Sequence, residues 1–435
     1  MRNKVIYNIK NPDLLLSQFI SLTKKYKYSC LLNSNPSSEN QPKEYNTFSI
    51  MLALDKIDLI ESNHNSFKKL KKFHIHKKDW MFGYLSYDLK NENTNLYSKN
   101  IDNISHANLS FFVPKYLFIL KGNNLTIESY ESKENLVEFY KKINNIKPVK
   151  SEKVKYDLVQ RESKDIYLKK INMIKKHIQN GDIYEMNYCQ EFFNENANCS
   201  PQDIYKRLNL LAQSPFSCFL NLRNINIMCA SPERFLKKTG SNILSQPIKG
   251  TSRRSEDPKE DIFLFEKLSK SVKDKTENVM IVDLVRNDLS MTAEKSSVKV
   301  DDLCSVYPFN QVYQMISTVS SKIDLTKYTF SDVLETNFPM GSMTGAPKHS
   351  AMRIIEKFEA TKRGLFSGSV GYIDPDGDFD FNVIIRSIIY DSAKKYLSVS
   401  VGGAITNKSI DIEEYQECLT KATLMFNALN FNFDD

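Results

Sequence analysis

The chain has no Cys-x-x-Cys pair, and its seven cysteines are an odd number scattered from Cys30 to Cys418. That excludes a zinc site built on paired cysteines and a complete disulfide framework, so reduced thiols are expected. No apolar run is long enough to span a bilayer. The longest, Leu109 to Leu120, is interrupted by Pro114 and Lys115, whereas a spanning helix needs about 20 apolar residues. The start Met1-Arg2-Asn3-Lys4 leads into no apolar signal core, and a cytoplasmic protein is expected. No internal repeat or coiled-coil heptad is found. His74-x-His76 has strand-like period-two spacing and no third ligand nearby, so it does not support a metal site. The net charge of +8 comes from lysines spread along the chain. Short runs such as Lys69-Leu70-Lys71-Lys72 and Lys77-Lys78 read as solvated faces, and neither a nucleic-acid nor a membrane partner is expected.

What remains is the composition of a large globular protein, with 41% apolar and 26% charged residues over 435 positions. Residues 1–145 read as a β-rich N-terminal region with polar insertions, among them a loop from Ser34 to Asn46 containing Pro36 and Pro42. The Lys-rich stretch from Asn144 to Tyr156, with Pro148, reads as a linker, and residues 160–432 form a second region. There, Ser163 is placed to cap a helix carrying Tyr167, Ile171, Ile174 and Ile178 at helical spacing and stopping at Asn180-Gly181. Phe379 to Tyr390 alternates as one strand after an Asp376-Gly377 turn, which would put Arg386 on a largely apolar face. A further strand, with Leu397, Val399 and Val401, is expected to end at Gly402-Gly403. A last helix from about Ile412 to Leu429 would bury Tyr415, Leu419, Ala422, Phe426 and Leu429, with Glu414, Glu417 and Lys421 along another face. Hairpins dominate near the end and no βαβ repeat appears, so the expected class is α+β with antiparallel sheets.

One lysine calls for explanation. In Gln246-Pro247-Ile248-Lys249-Gly250-Thr251 it lies between a proline that restricts the backbone and a glycine that lets another molecule approach. Ser231-Pro232-Glu233-Arg234-Phe235 precedes it, and Lys275-Thr276-Glu277-Asn278 leads into Val282-Asp283-Leu284-Val285-Arg286-Asn287-Asp288-Leu289. Phe338-Pro339-Met340-Gly341-Ser342-Met343-Thr344-Gly345-Ala346-Pro347-Lys348 follows, then Ile385-Arg386-Ser387, Gly402-Gly403-Ala404-Ile405 and Glu417-Cys418-Leu419-Thr420-Lys421-Ala422. With Gly181-Asp182-Ile183-Tyr184 ahead of them, these segments resemble, in order from about Lys164 to Leu429, the chorismate-utilising enzymes.

The resemblance implies an antiparallel β-sandwich core flanked by helices and, over 160–432, a chorismate-binding catalytic domain. Within the family, a lysine at the position of Lys249 is typical of members that aminate chorismate at C4 on the way to p-aminobenzoate and folate; anthranilate-forming members usually carry alanine there. Carried over residue by residue, Lys249 would attack C2 as the neutral amine, Glu233 would protonate the departing hydroxyl, and ammonia would displace the lysine. A free lysine with a pKa near ~10.4 is less than ~0.1% neutral at pH 7, so burial or nearby cations are expected to lower Lys249. Glu277 and Glu417, with Glu414 beside them, would hold Mg²⁺. Arg386 and the backbone of Gly402, Gly403 and Ala404 would grip a carboxylate, with Thr344, Gly345 and Lys421 as further substrate contacts, while Lys348 could equally be a structural ion-pair partner.

No Gly-x-Cys-x-Gly nucleophile of a glutamine amidotransferase is present, so ammonia is expected from a separate glutaminase subunit. Since the resemblance ends near Leu429, no fused pyruvate-releasing lyase is expected. Gln314 stands where anthranilate-forming members usually have histidine; Ala404 replaces a frequent glycine, and Asn407-Lys408 a small residue and an aspartate. The alternatives are an anthranilate- or isochorismate-forming enzyme, and a non-catalytic chorismate or amino-acid sensor, since Ser214-Pro215-Phe216 resembles a tryptophan-pocket segment.

Overall fold

The helix after Ser163 illustrates how local sequence builds the frame. The Ser163 side chain accepts a hydrogen bond from the Ile166 N–H, the helix runs over Lys164–Gln179, and Tyr167, Ile171 and Ile174 are buried, as the spacing predicts. In the computed structural model, which describes residues 2–35, 42, 45, 47–148 and 154–433, 20 strands join through antiparallel pairings into one continuous sheet system flanked by 11 α-helices. The expected α+β class with antiparallel sheets and flanking helices is therefore present. Most of the Ser34–Asn46 loop and the middle of the Asn144–Tyr156 linker lie outside the described residues. Among the described residues no helix is long and apolar enough to cross a membrane, and the apolar run after Leu109 is the strand Leu109–Lys121.

Alternation along the strands separates two cores. Leu31, Leu52 and Leu54 belong to one core together with residues of the helices Lys164–Gln179 and Asp411–Ala428. Their neighbours Cys30, Leu32, Met51 and Ala53 face the opposite core, with Phe82, Phe111, Phe235 and Phe381. The strand Tyr28–Asn33 pairs with Phe216–Leu222, and Met81–Leu85 pairs with Ser369–Ile373. These pairings put strands from residues 1–145 into the same sheet as strands from residues 160–432.

Three local expectations are corrected. His74 and His76 lie on the helix Ser66–Lys77 and not on a strand. Phe67, Leu70 and His74 are buried along with Ser66, and the first three form an i, i+3, i+7 series that outweighs the two-residue histidine spacing. The stretch from Phe379 to Tyr390 is two strands, Phe379–Asn382 and Ser387–Asp391. Between them the chain moves from its partner at Arg234 to its partner at Cys229, and Arg386 takes a left-handed conformation with φ 52°. Because Phe381, Val383, Ile384 and Ile388 are all fully buried, an apolar pattern could not reveal the kink. The strand containing Val399 does not stop at Gly402-Gly403 but continues over Tyr396–Thr406.

Gly83 and Gly371 face each other across two paired strands. A Cβ on Gly83 would stand 1.9 Å from the Ser110 carbonyl oxygen and 2.8 Å from the Phe111 ring. Gly83→Ala is expected to destabilise the protein by about 1–3 kcal/mol, the range for overpacked cores, measured as a lowered urea midpoint; an unchanged midpoint would contradict this close packing.

Candidate active site

The strand Ile248–Arg253 pairs with Val312–Lys322, but its register shifts between Ile248 and Thr251. Lys249 and Gly250 occupy that bulge. Gly250 has φ 92°, and a Cβ there would lie 3.0 Å from Asp274, so glycine answers both the backbone conformation and the close approach. The bulge directs Lys249 into a cavity of about 510 Å³, lined also by Glu233, Lys273, Glu277, Gln314, Arg386, Gly402, Gly403, Ala404, Glu417 and Lys421.

The Lys249 side chain is 10% exposed, and its Nζ donates to Glu185 Oε1 at 2.9 Å. Burial disfavours the ammonium, but Glu185, Glu277 and Glu233 outweigh it and raise Lys249 above its ordinary value. This corrects the expectation of a lowered value: the surroundings are dominated by carboxylates. Glu233 lies between the strands Ile225–Ser231 and Arg234–Thr239. Its N–H donates to Ser231 Oγ at 3.2 Å, and the adjacent Arg234 is anchored by two bonds to Asp380 of 2.8 and 2.9 Å. Burial pushes the Glu233 carboxyl up to about 7, with Ser342, Lys249 and Ile248 pulling it back only partway.

Glu277 projects from the first turns of the helix Val272–Ser290. Burial also raises it to about 7, and its Oε1 is buried without a hydrogen-bond partner. Across the cavity, the helix Asp411–Ala428 supplies Glu417 and Lys421, paired at 2.7 Å. Lys421 Nζ also donates to the Gly402 carbonyl at 3.1 Å. Lys421 first, with Lys273 and Lys249, holds Glu417 below its ordinary value against the effect of burial. Arg386 donates to the Lys421 carbonyl at 3.1 Å, and burial brings its guanidinium down to about 10, a cation short of a compensating anion. Gly402 and Gly403 differ in purpose. A Cβ on Gly402 would sit 2.3 Å from the Tyr188 carbonyl oxygen, so glycine there permits strand packing, whereas on Gly403 it would reach toward Glu414, Lys421 and Glu417.

Other candidate residues lie off the cavity wall. The Thr344 hydroxyl donates to the Met340 and Gly341 carbonyls, and Gly345 pairs with Met186 in a short strand. Glu414 is buried behind Lys273, accepting from Ser409 at 2.7 Å and from Lys273 at 3.4 Å. Lys348 bonds Asp288 at 2.7 Å as a structural pair. Among the described residues no group of three His, Cys, Asp or Glu side chains is arranged to hold a metal ion. Glu277 and Glu417 would therefore supply only part of a coordination shell. Sequence reasoning missed Glu185, one residue beyond the Gly181-to-Tyr184 segment. The available signal was a glutamate opening a strand, Glu185–Asn194, whose first eight residues are buried. Arg363 was missed too. It bonds Met343 O at 2.5 Å and Asn187 O at 3.0 Å, holding two pieces of the cavity wall together.

A family model described as chorismate binding enzyme matches residues 28–427. Aminodeoxychorismate synthase component 1 of Klebsiella aerogenes is 36% identical over 267 residues, 61% of this chain and 58% of the relative. The protein of the same description from Escherichia coli strain K12 is 37% identical over 61% of this chain and 58% of its own length. The chain thus matches little more than half the length of these relatives. Anthranilate synthase component I from Streptococcus pneumoniae TIGR4 superposes with TM-score 0.76 at 25% identity, covering 90% of this chain and 94% of that one. The menaquinone-specific isochorismate synthase of Escherichia coli superposes with TM-score 0.77 at 16% identity, covering 99% and 94%, a likeness of fold.

Because the Glu233 carboxyl is raised in the fold, the native state holds its proton between pH 4.5 and about 7 while the unfolded chain releases it. Stability contributed at this site therefore falls as pH rises through that window. Relative to Glu233→Gln, the wild-type protein is expected to lose up to about 3 kcal/mol of unfolding free energy between pH 5 and pH 8. Urea titrations at the two pH values measure it, and a constant difference would contradict the assignment.

Proposed function

The chain belongs to the chorismate binding enzyme family, and from that premise we propose that it aminates chorismate at C4 to 4-amino-4-deoxychorismate, in the synthesis of p-aminobenzoate and folate. The observation that carries the reading is Lys249, set by a bulge into the cavity that Glu233 also lines. The neutral Lys249 amine forms a bond to C2, the ring double bond shifts, and the C4 hydroxyl leaves as water with the proton from Glu233. Ammonia then bonds to C4, the shift reverses, and Lys249 departs as the amine; the new ammonium returns a proton to Glu233. The sum is chorismate plus ammonia giving aminodeoxychorismate plus water. Arg386 and Lys421, with the Gly403 and Ala404 backbone, suit the substrate's carboxylates. Glu277 and Glu417 fit a Mg²⁺ that takes its other ligands from water and substrate, since Glu277 Oε1 is buried without a donor. When bound, that ion supplies positive charge to a ring carboxylate.

We assign the ammonia to a separate glutamine amidotransferase subunit. Burial pushes the Cys189 thiol well above its ordinary value and Cys418 up to about 11, the reverse of what a nucleophilic thiol needs. A cytoplasmic setting is part of the reading and agrees with seven free cysteines. The sensor alternative is disfavoured because Glu233, Lys249, Glu277 and Glu417 line one cavity together, a set that binding alone does not require.

Mass spectrometry of the product from chorismate, Mg²⁺ and ammonium salt tests the reading: aminodeoxychorismate is expected, while anthranilate or isochorismate as the main product would overturn it. Glutamine is expected to replace ammonium only with an added glutaminase subunit. Glu277→Gln and Glu417→Gln are each expected to weaken Mg²⁺ binding in the substrate complex, read by calorimetry, and to abolish most turnover. Unchanged affinity in both would refute the ligand assignment.

A further inference from the structure

The Lys249 ammonium is enclosed by carboxylates from several elements: Glu185, Glu233, Glu277 and, on the far helix, Glu417, with Lys273 as the nearby cation. Among the described residues, Glu185 is the one bonded to its Nζ, at 2.9 Å, in a pair 10% and 2% exposed. The second Glu185 oxygen, Oε2, is buried with no donor. A direct proton transfer needs donor and acceptor within about 2.6–3.2 Å, and Lys249 Nζ and Glu185 Oε1 meet that distance.

We propose that Glu185 is the positioning residue and proton acceptor that converts Lys249 to a nucleophile. The inference rests on the reading of Lys249 as the attacking group. The step breaks one Nζ–H bond of Lys249 and forms one O–H bond on Glu185 Oε1. The electron pair stays on nitrogen, and the opposite charges cancel, so no outside acid or base takes part. Lysine expelled later as the neutral amine takes the proton back from Glu185, and the pair is reset.

The test is a double-mutant cycle on the ammonium-dependent reaction, with kcat and KM for chorismate measured for wild type, Glu185→Gln, Lys249→Ala and the double variant. Glu185→Gln is expected to lower kcat by about tenfold or more with KM within about twofold, and the double variant to be no slower than Lys249→Ala alone, because residues acting as a unit are not additive. Losses that multiply in the double variant, or wild-type kcat in Glu185→Gln, would overturn the proposal. Glu185→Asp, which keeps an acidic acceptor should Gln impair folding, is expected to recover part of the loss; equal kcat in Asp and Gln variants would also overturn it. A wild-type enzyme that forms no aminodeoxychorismate would instead fail the underlying reading, so the two failures are distinct.

Discussion

The site is organised around one buried ammonium group. Lys249 Nζ sits at the edge of a sheet with carboxylates as its nearest charges, and an unpaired cation in that place would cost several kcal/mol. Glu185 bonds it directly. Glu277 and Glu233 add to its stabilisation, and both have their own carboxyls pushed toward neutrality by burial. A cavity of this kind holds a lysine, an acid near its working pH and a carboxylate short of a partner. Those are the components that nucleophilic displacement of a hydroxyl requires.

The fold supplies the rigidity. The Glu185 strand lies beside Tyr396–Thr406 in a ten-residue register that sets Ala404 opposite Asn187. Arg363 bonds both the Asn187 and Met343 carbonyls, and its charge is balanced by Glu359 at 2.7 Å. Asn187 in turn donates to the Ser342 carbonyl at 2.7 Å. The cavity wall is therefore fixed by buried, directional bonds, and the groups lining it extend from strands, helices and the short connections between strands.

Much of this was legible in the chain. The Ser163 cap, the last helix and the turn at Gly377 follow from local rules that act over a few residues. Lys249 stood out because Pro247 restricts the chain and Gly250 lets another molecule come close; the bulge itself is seen only in the fold. What escaped had a common cause. The kink at Arg386 lies in a run buried on all sides, where alternation carries no information. Leu419 was expected in the core and is only partly buried, whereas Cys418 beside it is fully buried, although Tyr415, Ala422, Phe426 and Leu429 are buried as expected. Glu185 and Arg363 act through partners 64 and 176 residues away, and no local pattern records such a meeting. The direction of the Lys249 shift was missed for the same reason: it depends on carboxylates delivered by strands and helices distant in sequence.

The central claim is that the Lys249 amine becomes covalently attached to substrate. The most direct measurement is the mass of enzyme quenched during incubation with chorismate and Mg²⁺ in the absence of ammonia, followed by peptide mapping. The account predicts a fraction of protein heavier by chorismate minus one water, with the added mass on the peptide containing Lys249. Unmodified protein throughout, in an enzyme that turns over normally once ammonia is supplied, would contradict it, as would an adduct on any other residue.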